Sequence, residues 1–154
     1  MLEDTSCDFN HFFYRLGIAP IYSLTSKGDY LNAAKQILPR ETQREEAVET
    51  LATWIETQYK PRLEKENATE VERQKVVSQV NPKFVLRQWI LEEVIKKTTS
   101  EKGIGVKNKE LFELVLKMSL EPFRENWDGN KEEEKRLCGD VPKVDRGFQC
   151  SCSS

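Results

Sequence analysis

Apolar residues recur every three or four positions along most of this chain, and no sustained alternation of apolar with polar residues marks a strand. The stretch DFNHFFYRLGI (8–18) places Phe9, Phe12, Phe13 and Leu16 on one helical face, with Asp8 as the N-cap and Gly17 as the stop. APIYSLTSKGDY reads as a loop. DYLNAAKQILPR then predicts a short helix with Leu31, Ala34, Ile37 and Leu38 inward, ended by Pro39. The clearest amphipathic pattern is TQREEAVETLATWIETQYKPRLEKE, where Ala47, Val48, Leu51, Trp54, Ile55 and Tyr59 repeat at helical spacing. Pro61 is expected to kink or restart that helix.

The next stretch, ENATEVERQKVVSQV, is highly charged and fits a helix or a solvated linker equally well. NPKFVLRQWILEEVIKK has strong helix signals: Asn81 as cap, Pro82 at the first helical position, and Lys96 and Lys97 at the negative end of the dipole. Its buried side is expected to carry Val85, Leu86, Trp89, Ile90 and Ile95. SEKGIGVKNK reads as a turn. KELFELVLKMSLEPF supplies a last helix with Leu111, Phe112, Leu114, Val115 and Met118 inward, stopping before Pro122. The expectation is an all-α chain, helical over 1–125, with an irregular Gly-, Pro- and charge-rich tail over 126–154 that ends in CSCSS.

Composition narrows the classes of function. The 154 residues suffice for one core, and 32% of them are charged, with 24 basic and 26 acidic side chains leaving a net charge of −2. That balance gives no electrostatic reason to expect a nucleic-acid partner or an anionic membrane surface. No apolar run approaches the roughly 18 residues of a membrane span. MLEDTSCDFN is acidic and resembles neither a signal peptide nor an Arg-rich transit peptide. Without a secretory signal, Asn67-Ala68-Thr69 is not expected to be glycosylated. Cys7, Cys138, Cys150 and Cys152 are too few and too unevenly placed for a secreted disulfide framework.

Each candidate for chemistry has a plainer rival. His11 is the sole histidine and sits among aromatic residues, which favours packing over catalysis; a Cys7–His11 pair at i,i+4 would need both on one helix. Gly103 to Gly105 lack the third glycine and preceding strand of a dinucleotide fingerprint. Glu45/Glu46, Glu92/Glu93 and Glu132 to Glu134 are adjacent carboxylates, expected to diverge into solvent rather than converge on a substrate. DGN after Trp127 lacks the alternating acidic ligands of a calcium loop. Cys138, Cys150 and Cys152 offer three thiolates to a zinc ion without a CxxC pair. The two terminal cysteines fit either a redox-active pair or incidental exposed thiols.

Four stretches together resemble the selenoprotein O family, also called the YdiU family. NPKFVLRQWILEEVI resembles its Asn-Pro-Lys-aromatic-Val-Leu-Arg segment, EPF is similar to its downstream Pro-aromatic turn, and DFNHFFYRL is similar to an aromatic-rich stretch that precedes both. CSCSS resembles the family's end, where selenocysteine or cysteine stands third from last, the place of Cys152. The resemblance implies a protein-kinase-like enzyme that transfers AMP from ATP to Ser, Thr or Tyr hydroxyls with Mg or Mn. It implies further that this chain is the helical C-terminal part of that fold, and that the nucleotide- and metal-binding residues lie upstream of the matched region. No catalytic, cofactor or metal residue is therefore assigned, and neither ATP nor metal is expected to bind this chain alone. Its partner would be the upstream kinase-like region or that enzyme's protein substrates. Cys152, with Cys150, would carry redox control through a bridge to a cysteine elsewhere. The family's Cys-x-x-Cys spacing, however, would place a cysteine at Gln149. Eukaryotic members imply a mitochondrial location and bacterial ones a cytoplasmic location. The rival reading is a stand-alone, non-catalytic helical module that binds a partner through the faces carrying Trp54 and Trp89.

Overall fold

The computed structural model describes residues 8–98 and 109–141. Among them every regular element is helical: α1 (Phe9–Ile18), α2 (Lys27–Ile37), α3 (Glu45–Trp54), α4 (Lys60–Lys65), α5 (Glu70–Val80), α6 (Gln88–Thr98), α7 (Lys109–Leu120) and α8 (Lys131–Leu137). A 3₁₀ turn, Arg40–Thr42, precedes α3, and a π turn, Ile55–Tyr59, joins α3 to α4. The chain divides into two compact units, Met1–Asn81 and Pro82–Ser154.

The first unit begins as the caps predict. Asp8 accepts the His11 N–H at 3.0 Å, one of the donors that an α-helix start leaves free. Gly17 does not end α1, which runs on to Ile18. The glycine is buried instead where α1 crosses α5, and a Cβ built there would fall inside the envelope of the Val77 side chain. Its role is close approach rather than a left-handed cap. At α2, Ser26 and Asp29 form a reciprocal capping box: Asp29 N–H donates to the Ser26 hydroxyl and Ser26 N–H to the Asp29 carboxylate at 2.8 Å. The backbone N–H groups of Ser26 and Thr25, both donating to the Asp29 carboxylate, hold it down at about 2.

Pro61 does not break its helix into two; the irregularity it brings is a π turn. The helical path is continuous from Glu45 to Lys65, with a π turn just before the proline. Pro61 has no N–H to give Thr57, and the wider turn makes room for its ring; the Lys60 N–H reaches back five residues to the Ile55 carbonyl. One consequence is a stacked pair: Trp54 and Tyr59 lie 5.1 Å apart with their rings 11° from parallel. Residues five apart would diverge by about 140° on a regular α-helix. The charged stretch after it is a helix, α5, opened by a second capping box between Thr69 and Glu72.

In the second unit the helix expected from Asn81 starts only at Gln88. Asn81 caps the preceding helix, its side-chain amide and its backbone N–H both donating to the Val77 carbonyl. Residues 82–87 are non-helical and carry Phe84 into a core formed with Trp89, Ile90 and Val94 of α6, Leu111, Leu114, Val115 and Met118 of α7, and Trp127 and Leu137. The expected irregular tail from Trp127 is also corrected. Asn130 accepts the N–H groups of Glu132 and Glu133, three glutamates occupy the first turn, and Lys135 and Arg136 the last, so α8 has a complete set of cap and dipole signals despite its polarity. Four side chains expected inward, Phe9, Leu86, Ile95 and Phe112, lie exposed.

Candidate functional site

The segment NPKF and the turn EPF, 38 residues apart, meet in space. The backbone N–H groups of Lys83 and Phe84 both donate to the Pro122 carbonyl, at 3.0 and 3.1 Å. Neither donor is needed by a helix here, which is why α6 starts late. The Phe84 ring meets Trp127 edge-on, with centroids 6.3 Å apart, and the Lys83 ammonium stands 5.7 Å over the indole. Lys83 also donates to the Glu125 carbonyl, and the indole N–H of the fully buried Trp127 donates to the Glu121 carbonyl at 2.9 Å.

Glu134 closes this knot from the other side. It is buried, and its carboxylate accepts the N–H groups of Trp127 and of Gly129, the latter at 2.8 Å. The loop needs those acceptors because Asp128 turns it through a left-handed backbone conformation, φ 59°. Glu134 therefore does not face solvent as its sequence neighbours suggested, whereas Glu132 is exposed and Glu133 pairs with Arg136. Arg136 forks onto Glu93 through two 2.9 Å hydrogen bonds and onto Glu133 through two at 2.8 Å, and lies 5.6 Å over the Trp89 ring. Burial opposes ionisation of Glu93, but hydrogen bonds from Arg136 and Lys97 outweigh it and hold that carboxyl below its ordinary value. Arg136 itself is held firmly in its charged form by Glu133 and Glu93.

Cys138 ends α8 beside this network. Burial pushes its thiol up to about 11, with Lys83 acting weakly in the opposite direction, so at neutral pH it is a protonated, poorly nucleophilic thiol. The other cysteines singled out, Cys7, Cys150 and Cys152, and the Gly103–Gly105 turn lie outside the described residues. Among the described residues no three His, Cys, Asp or Glu side chains converge as a metal site would require. An open cleft of about 550 Å³ runs between α7 and residues 128–133, and two of its four acids are engaged with cations: Asp128 with Lys117 at 3.1 Å, Glu133 with Arg136 at 2.8 Å. His11 is buried in α1 with its ring nitrogen 3.9 Å from Asp8.

A second polar centre, in the first unit, escaped the sequence reading. Arg73 is buried in α5 and donates to the carbonyls of Leu16 and Ala19 at the end of α1, to the Tyr59 hydroxyl, and to Glu70. Glu70 in turn accepts the Tyr22 N–H at 2.8 Å, and Gln74 donates to the Ile18 carbonyl at 3.0 Å. The free carbonyls at the end of α1 are thus answered by side chains of α5. The only sequence signal was the i,i+3 pair Glu70–Arg73 within a run of charges, which is indistinguishable from a solvated face. Both centres satisfy backbone groups and cross-link elements; neither presents a nucleophile or converging acids to a substrate. Trp89 is buried beneath Arg136 and Trp54 is stacked on Tyr59, so these two rings are engaged within their own units.

A family model described as "Protein adenylyltransferase SelO" matches residues 1–118. The chain is 39% identical over 114 residues to the mitochondrial protein adenylyltransferase SelO of Schizosaccharomyces pombe, an alignment covering 74% of this chain and 18% of that protein. It is 26% identical over 153 residues to the protein nucleotidyltransferase YdiU of Myxococcus xanthus, covering 99% of this chain and 27% of that one. The chain thus spans less than a third of the length of these curated relatives. No solved structure matches.

Proposed function

This chain belongs to the SelO family of protein adenylyltransferases, and from that premise we propose that it is the helical C-terminal part of an enzyme that moves AMP from ATP onto Ser, Thr or Tyr hydroxyls of proteins. The observation that carries this reading is a family match over 118 residues on a chain covering only 18% and 27% of its two relatives. The polar side chains at its two centres are occupied in holding backbone: Glu134 and Glu70 accept loop N–H groups, and Arg73 caps α1. The described carboxylates do not form a set fitted to Mg or Mn, so no step of nucleotide transfer is assigned to them. In this reading ATP, metal and the catalytic groups belong to the remainder of a family-length protein, kinase-like in fold. The helices of this chain brace that part.

Cys152, with Cys150 beside it, is proposed as the redox element. Exchange with a disulfide such as oxidised glutathione would join Cys152 to a second cysteine, the two thiols losing two protons and two electrons as the reagent is reduced to two thiols. The fission-yeast relative is named as mitochondrial, and we extend that location to this chain.

The test is direct. The 154-residue chain is incubated with labelled ATP, Mg or Mn, and acceptor protein, beside the full-length fission-yeast relative as the positive control. Label is expected on acceptor only with the relative; label transferred by the 154-residue chain alone would overturn the proposal.

A further inference from the structure

We infer that the outer stripe of α7, Phe112, Leu116 and Leu120, is a docking face for the remainder of a SelO-family polypeptide. The inference rests on the reading that this chain is one part of such a protein. At about 100° per residue, the apolar residues of α7 span an arc of roughly 240°, more than twice what one buried face needs. The unit covers only part of that arc: Leu111, Leu114, Val115 and Met118 are buried. Phe112 and Leu116 remain 47% exposed and Leu120 73% exposed, at i, i+4 and i+8. Such residues lie one above another along about 12 Å of helix, so the stripe is continuous by construction.

One border is polar. Lys109, Glu113 and Lys117 form the adjoining i, i+4, i+8 row, Lys109 paired with Glu113 at 3.0 Å and Lys117 with Asp128 at 3.1 Å, while the opposite border is the buried row of Leu111 and Val115. A continuous exposed apolar strip edged by engaged charges has the form of an interaction surface. Leu91 on the neighbouring helix α6 shows the same excess, left exposed beside a buried Ile90. The occupant follows from length. Phe112 and Leu116 lie inside the residues matched by the family model, and the relatives carry more than two-thirds of their length outside the matched stretch. A helix used on both sides is accounted for when that missing length supplies the second side.

Cysteine accessibility tests this without reference to catalysis. Leu116→Cys and, separately, Phe112→Cys are made in the 154-residue chain and at the aligned positions of the full-length Myxococcus xanthus relative, whose alignment covers 99% of this chain, and iodoacetamide labelling is read peptide by peptide by mass spectrometry. Both sites are expected to label freely in the 154-residue chain and about tenfold or more slowly in the full-length relative, as thiol reactivity follows exposure. Failure of both variants to fold in the full-length protein alone would report the same burial. Equal rates in the two proteins would overturn the inference. Labelling that slows as the 154-residue chain is concentrated would also overturn it, showing that a second copy covers the stripe. Since AMP transfer is not the readout, this result stands or falls apart from the proposed activity.

Discussion

Among the described residues, the unit Met1–Asn81 gathers fifteen buried apolar residues into one core and leaves five large apolar side chains exposed, whereas the unit from Pro82 onward buries ten and leaves seven exposed. The difference lies in how each unit uses its helices. In the first, α2 and α3 turn their main apolar stripes onto the shared core, and the polar α5 is recruited through Arg73 rather than through apolar area. In the second, α6 and α7 are apolar on more sides than their own unit covers, and the loop around Trp127 is held by hydrogen bonds to backbone. One unit is closed by a buried guanidinium; the other is fastened at one end and open along a helix.

Breaking the guanidinium should therefore have the largest effect. Arg73→Met leaves Glu70 without its ionic partner and strips donors from two carbonyls, at an expected cost of about 3 kcal/mol by urea denaturation, toward the lower end for broken buried pairs because Glu70 is part-exposed. Trp127→Phe tests the fastening of the second unit. Loss of the indole N–H to Glu121 and of volume beneath Lys83 should lower stability by about 2 kcal/mol. Gly17→Ala should cost about 1 kcal/mol, steric overlap with Val77 outweighing the better helix former. Adding Val77→Ala should recover most of the overlap, and a double-mutant cycle by thermal melt reads the coupling.

Smaller still is the capping box at α2. Asp29 is held at about 2 against an ordinary 3.8, so its contribution is present above pH 4 and is lost as pH falls towards 2. A carbon-detected NMR titration should find its midpoint near 2, and Asp29→Asn should flatten the acid limb of the stability curve. The smallest effect is expected at Leu116→Lys, within about 0.5 kcal/mol in the 154-residue chain, because the side chain already meets water there. A large loss at Leu116 would erase the distinction between the two units.

Periodicity made the helices legible wherever one face is apolar and the caps are local. Asp8 and the end of α2 before Pro39 needed only neighbours within a few residues, whereas Ser26 to Gly28, expected in a loop, cap and open α2. What escaped the sequence depends on distant partners. Asn81-Pro82 reads as a helix start until a carbonyl 38 to 39 residues away accepts the N–H groups of Lys83 and Phe84. Gly17 reads as a stop until Val77 is known to press on it. Phe112 fits the inward pattern by period alone, and its exposure is visible only once the unit's own packing is in place. For the candidate site, the motif residues were identified, but their junction through Pro122 was not, and neither were the structural roles of Arg73 and Glu134.

The π turn at Ile55–Tyr59 bears on how related chains should be read. A widened turn holds one residue more than the regular helix that would fill the same space. An aligned protein lacking a single residue between positions 55 and 59 would therefore keep the helix axis and still place its counterpart of Arg73, giving up only the stacked aromatic pair. Such a gap would record an exchange of one helical winding for another.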